Sequence, residues 1–209
     1  MSYDLNDPVD YKRAMKGLMW GDHGVLRQRF HNMHRVGGEM WRGNQPSPKR
    51  LRELKDMGFK TILNLRGTQP GRHYYDLEHF TCDEIGLDIV DLPWGSREAP
   101  YVERIEHLIT VFDEIAYPAF MHCKSGADRA GLMSALYLLI VENQPARIAM
   151  RQLAWKYGHV KAAKTGLLDA FFAAYLPYEK DGMAFYDWVD QVYDPAALTA
   201  QFRAQGWAV

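Results

Sequence analysis

Residues 122–129 read HCKSGADR, a stretch that puts the thiol of Cys123 between a histidine and a lysine and an arginine, Arg129, six places later. A thiolate is a strong nucleophile, and a guanidinium offers two parallel N–H bonds that match two oxygens of a phosphoryl group and keep matching them as it flattens in transfer. Between them, the amides of Lys124, Ser125, Gly126, Ala127 and Asp128 are placed to converge on an anion, and a helix starting after them adds the positive end of its dipole. The same field favours the charged form of Cys123. Gly126 permits the tight path such a loop needs. Lys124 adds positive charge, and His122 is expected to orient the loop rather than exchange protons.

Such a loop works when a strand delivers the thiol and a helix receives the arginine. The compact β-rich runs KTILNL (60–65), GLDIVDLPW (86–94) and YPAFMH (117–122) are separated by helical spacing at 73–85 and 101–116. EMWRGNQPSP reads as one more short strand running into a loop, and Ser47 with Pro48 reads as the cap and first turn of a helix over 48–57, ended by Gly58. Strands alternating with helices give an α/β fold with a central, mainly parallel sheet flanked by helices. In such sheets ligands collect beyond the carboxyl ends of the strands, where 123–129 falls. Helical additions are expected at both ends: 1–38, with helix-like spacing over 8–32 interrupted by WGDHG, and 146–209, within a run of helices at about 129–142, 145–157, 167–176, 183–192 and 195–205. The core is then 39–145, and the whole reads as one domain.

Composition narrows the function. Of 209 residues, 25 are Lys or Arg and 26 Asp or Glu, a formal charge of −1, so there is no global basic field to gather nucleic acid. The most apolar run, LMSALYLLIV at 132–141, is about half the roughly 20 residues a membrane span needs, and MSYDLNDPVDYKR carries no apolar signal segment. A cytoplasmic protein is expected. Two cysteines are too few for a disulfide framework, and the eight histidines show no metal-binding spacing, so no metal and no cofactor are expected.

The pattern His-Cys, five residues, Arg in HCKSGADR resembles the signature of cysteine-dependent protein tyrosine and dual-specificity phosphatases. WRGNQPSP and TILNLRG are similar to upstream segments of compact bacterial and fungal members, some of which act on inositol polyphosphates. The resemblance covers about residues 39–145. It implies a phosphatase-type phosphate-binding loop, attack by Cys123 on phosphorus, a cysteinyl-phosphate intermediate and Arg129 on the transferred group. The implied partners are a phosphorylated protein or a small phosphorylated metabolite. Such enzymes place an aspartate in a mobile loop to protonate the leaving oxygen, yet IVDLPWGSREAP has Ser96 there. Glu98 is the first candidate for that acid, with Asp91 as the alternative from the preceding strand. Ala130 stands where Ser or Thr often helps the thiolate leave.

Arg66 and Arg97 fall on the expected active face, as holders of further phosphates or as ion-pair partners. His159, Lys161 and Lys164 form a basic cluster read as a solvated face. Cys82 is read as a core thiol rather than a redox partner of Cys123. Four functions stay open: a protein phosphatase, an inositol-phosphate phosphatase of the same mechanism, a rhodanese-like sulfur transferase, whose loops generally have one residue fewer, and a catalytically weak phosphate-binding module.

Overall fold

In a computed structural model the described residues are 3–27 and 29–205; residue 28 of the expected 8–32 helical stretch, and the ends of the additions at 1, 2 and 206–209, lie outside them. The chain falls into two compact units. One comprises residues 1–35, 39–93 and 116–126, the other 36–38, 94–115 and 127–209.

The first unit opens with α1 (Pro8–Lys16), capped by the Asp7 carboxylate, which accepts from the Val9 amide. A π-helical turn over Gly17–Gly21 follows, then the short α2 (Gly24–Arg27), so the WGDHG break falls where expected. Next come β1 (His34–Gly37), whose last two residues belong to the second unit, and β2 (Met40–Asn44), α3 (Pro48–Asp56), β3 (Thr61–Asn64), α4 (His73–Ile85), β4 (Asp88–Asp91) and, after the second unit's α5 (Val102–Glu114), β5 (Ala119–Cys123). The strands form one sheet in the order β1-β2-β5-β3-β4. β2, β3 and β4 all run parallel to their neighbours in the β2-β5-β3-β4 series. β3 and β5 are buried along their whole length, as a parallel sheet covered on both faces requires.

Helix α3 starts as read: Ser47 accepts from the Arg50 amide and Pro48 occupies the first turn. Its Leu51 and Leu54 pack with Phe59, Ile62, Cys82, Leu87 and Phe120 in one apolar cluster. Ala14 and Leu18 of the N-terminal stretch pack with Leu77 of α4 in another. Strand register then matters for chemistry. Asn44 lies opposite Cys123 and Asn64 opposite His122 and Asp91, so the carboxyl ends of four strands share one edge.

The second unit contains α5, α6 (Asp128–Ile140), α7 (Ala146–Ala149), α8 (Leu167–Lys180), α9 (Phe185–Gln191) and α10 (Pro195–Ala204). Helix α6 is buried continuously from Ala130 to Leu139, which explains an apolar run with no polar face. Phe171, Tyr175, Phe185, Trp188 and Tyr193 make an aromatic cluster with ring centroids 4.9–6.1 Å apart. One helix departs from expectation. The stretch 145–157 is not continuous: α7 passes into a 3₁₀ turn (Met150–Gln152), the chain extends at Ala154, and a second 3₁₀ turn (Trp155–Tyr157) ends at Gly158. Buried Ala146, Ala149 and Gln152 recur every three residues, a spacing that α and 3₁₀ turns share.

Candidate active site

Cys123 ends β5 and is 2% exposed. The loop after it is held by its carbonyls. Lys124 O accepts from the Gln45 amide at 3.4 Å, Ser125 O from Asn32 Nδ2 at 3.1 Å, and Gly126 O from Arg42 Nη2 at 2.7 Å. In a planar trans peptide the N–H points opposite the C=O, so these bonds turn the amides of Ser125, Gly126 and Ala127 to the other side of the loop. Gly126 is required for two reasons: its φ is +76°, and a Cβ there would stand 2.7 Å from the carbonyl carbon of Gly43. At Asp128 the chain enters α6, with Arg129 half-buried in its first turn.

Behind the thiol lies a buried polar row. His122 has no exposed surface; its Nε2 sits 2.7 Å from Glu78 Oε1 of α4, off the line of a good hydrogen bond, and Gln45 Nε2 donates to Glu78 Oε2 at 2.9 Å. The enclosed ring suits the expected orienting role. Beside it, Asp22 gathers three cations: Arg27 Nη2 at 2.6 Å, Arg66 Nη1 at 2.8 Å and Lys124 Nζ at 3.3 Å. Burial alone would raise the Asp22 carboxyl, but Arg66 first, then Arg27 and Lys124, hold it below the usual carboxylate range. Of the two roles open to Arg66, the structure shows the ion pair, with Gln45 Oε1 at 3.0 Å and the Tyr74 ring 3.4 Å from its guanidinium carbon.

The two candidate acids sit differently. Asp91 accepts from Tyr75 Oη at 2.7 Å and Asn64 Nδ2 at 2.8 Å, with Thr68 Oγ1 at 3.3 Å and His79 Nε2 at 3.2 Å. Burial pushes its carboxyl up, and these donors outweigh it and hold the carboxyl below its usual range. Glu98, in the second unit, is paired with Arg104 Nη1 at 2.8 Å and its side chain keeps 42% exposure. Its loop is fastened on either side: Trp94 is buried, and the Pro100 carbonyl accepts from Tyr193 Oη at 2.8 Å. Exposed Arg97 lines an open cavity of about 540 Å³ with Glu98 and Arg203.

Cys82 is fully buried in the α3 cluster, and burial, with Glu78 nearby, pushes its thiol up. Lys161 and Lys164 are exposed, but His159 corrects the reading of a solvated face. It is 2% exposed and lies between Asp128 and Asp169. Reasoning from sequence also missed Asn32, Arg42, Gln45 and Glu78. Arg42 left a signal, a charge inside a strand otherwise fit for burial; the others left none.

The family model described as "PTP-NADK: DSP-PTPase phosphatase fused to NAD+ Kinase" matches residues 28–166. The chain belongs to this phosphatase family. Membership makes it a cysteine-dependent phosphatase of the protein tyrosine and dual-specificity kind. The phosphatase is 30% identical over 95 residues to the chloroplastic NAD kinase 2 of Arabidopsis thaliana and, over the same length, to a probable NAD kinase 2 of rice (Oryza sativa subsp. japonica). These alignments cover 44% of the phosphatase and 10% of each relative, so the chain matches about a tenth of the length of these plant proteins. Its fold is shared with a putative phosphatase from Shewanella putrefaciens CN-32 (20% identity, 71% of this chain and 95% of that one, TM-score 0.55). It is shared too with TpbA of P. aeruginosa (15% identity, 82% and 91%, TM-score 0.54). No helix among the described residues is long and apolar enough to cross a membrane, and no group of three or more His, Cys, Asp or Glu among them could hold a metal ion.

Proposed function

We propose that the phosphatase hydrolyses phosphomonoesters with Cys123 as nucleophile and the 124–129 loop as phosphate cradle. The observation that carries this is the engagement of three consecutive loop carbonyls, which turns the following amides toward the side an anion would occupy. Cys123 Sγ attacks phosphorus, the P–O bond to the leaving group breaks, and Arg129 with the loop amides holds the non-bridging oxygens through the transition state. Glu98 protonates the leaving oxygen; as carboxylate it then takes a proton from the water that releases phosphate and restores the thiolate. The four donors on Asp91 suit a fixed acceptor better than an acid. Residues 39–145 make the catalytic core.

The substrate is a phosphorylated protein or a small phosphorylated metabolite. TpbA has been crystallised with pTyr, which supports the first. The plant relatives are named as NAD kinases, which makes the 2′-phosphate of NADP a metabolite to test. A reducing compartment favours a thiolate nucleophile with no disulfide partner, and we place the protein in the cytoplasm.

The test is steady-state hydrolysis of aryl phosphates, phosphotyrosyl peptide, inositol phosphates and NADP by wild type, Cys123→Ser and Glu98→Gln. Cys123→Ser is expected to lose turnover by about 10³-fold or more. Glu98→Gln is expected to lose about 10²-fold, most for poor leaving groups. An active Cys123→Ser would overturn the mechanism; a wild type that binds phosphate but turns over none of these esters would leave a binding module.

A further inference from the structure

The sixth residue of the loop is an acid, Asp128, directly before the arginine that must meet a dianion. A free carboxylate there would oppose phosphate binding. The structure shows where its charge goes. His159 Nδ1 lies 2.7 Å from Asp128 Oδ1, and His159 Nε2 lies 2.7 Å from Asp169 Oδ2 in the first turn of α8. Carboxylates only accept, so a ring bonded to one on each side donates from both nitrogens, which only imidazolium can do. The ring is delivered by a tight turn: Gly158 has a φ of +87°, and a Cβ there would lie 3.6 Å from Cβ of Ala127, the residue before Asp128.

We propose that His159 is a positioning residue for the phosphate loop, fixing the Asp128 side chain to Asp169 of α8 and offsetting part of its charge beside Arg129. This rests on the reading of 123–129 as the phosphate cradle. The charged groups acting on the ring are Asp128 from α6 and Asp169 from α8; Lys161, on the ring's own segment, lines a cavity with Asp169. Burial alone would strip the proton, but hydrogen bonds to Asp128 and Asp169 and their charges outweigh it and push the ring up to about 9. The sign follows. The anchor is complete below the ordinary histidine value and is lost as pH rises through about 9, where neutral imidazole keeps one donor for two acceptors.

Sulfate is the probe, because its charge is constant from about pH 6 to about pH 10, unlike that of histidine. Competitive inhibition of aryl phosphate hydrolysis by sulfate would be measured over that range for wild type, His159→Gln, Asp128→Asn and the His159→Gln/Asp128→Asn double variant, with the turnover of Cys123→Ser as the control on the nucleophile. Wild type is expected to weaken in sulfate affinity and rise in KM above about pH 9. His159→Gln should show about tenfold weaker sulfate binding at neutral pH, a KM effect larger than its kcat effect, and no alkaline step. The double variant should recover sulfate affinity to within about twofold of Asp128→Asn, since the unpaired charge is gone. A purely structural role predicts no such rescue, and that result, or an unchanged pH profile in His159→Gln, overturns the proposal. Failure of the underlying reading looks different: wild type would not be inhibited by sulfate at any pH, or Cys123→Ser would remain active.

Discussion

Arg42 carries a permanent charge at a position with no exposed surface, and its Nη2 meets the carbonyl of a residue 84 positions away. A guanidinium is costly to bury, so the bond to Gly126 O has to be strong and well aligned to hold. Replacing Arg42 by Met keeps much of the volume and removes the donor. Arg42→Met is expected to cost about 1 to 3 kcal/mol in urea unfolding, the range for a buried acceptor left without its partner. KM for an aryl phosphate should rise with it, because the Gly126–Ala127 peptide is then free to rotate. Arg66 differs in consequence: committed to Asp22, Gln45 and the Tyr74 ring, it supports the scaffold rather than offering a hand to substrate.

At the scale of elements, the loop between β5 and α6 is specified by a glycine and by the strand beside it. Gly126→Ala puts a methyl into the backbone of Gly43 and Asn44 at a left-handed φ, and about 1 to 2 kcal/mol of local strain is expected. Sulfate or phosphate binding, followed by titration calorimetry, should fall much further than global stability, since the loop yields before the sheet does. Elements like these were legible where a local rule decides them. Helix α4 matches its expected limits at 73–85 because Gly86, with φ +66°, ends it and a β-rich run follows. Helix α3 carries its cap in Ser47, and the thiol and arginine announce themselves by interval alone. β1 was not legible, since HRVG is short, half-exposed and without alternation. The partners of Asn32, Arg42 and Glu78 were hidden for a different reason: each meets its partner across a long stretch of chain, 93, 84 and 33 residues away, and spacing carries no trace of such meetings.

At the scale of the molecule, the N-terminal stretch belongs to the site's scaffold within the first unit. Asp22 lies before the residues the family model matches, yet its carboxylate meets Arg66 after β3 and Lys124 in the loop. Asp22→Asn leaves three neighbouring cations without their counter-charge and is expected to destabilise by about 3 kcal/mol. The pH signature has a fixed sign: with Asp22 held below the usual carboxylate range, its contribution is present above the ordinary value and lost as pH falls through the lowered one. Urea midpoints taken from neutral to acid pH should therefore show a shallower acid slope in Asp22→Asn than in wild type.

The strand order β1-β2-β5-β3-β4 bears also on how the protein comes off the ribosome. The middle of the sheet is its last strand to be synthesised. Until Ala119–Cys123 has emerged, β2 and β3 lack the strand that pairs with both, and the backbone groups it would meet are without that partner. The strand that closes this gap is also the one that carries Cys123, the proposed nucleophile, so a chain released before it lacks both the middle of its sheet and the thiol.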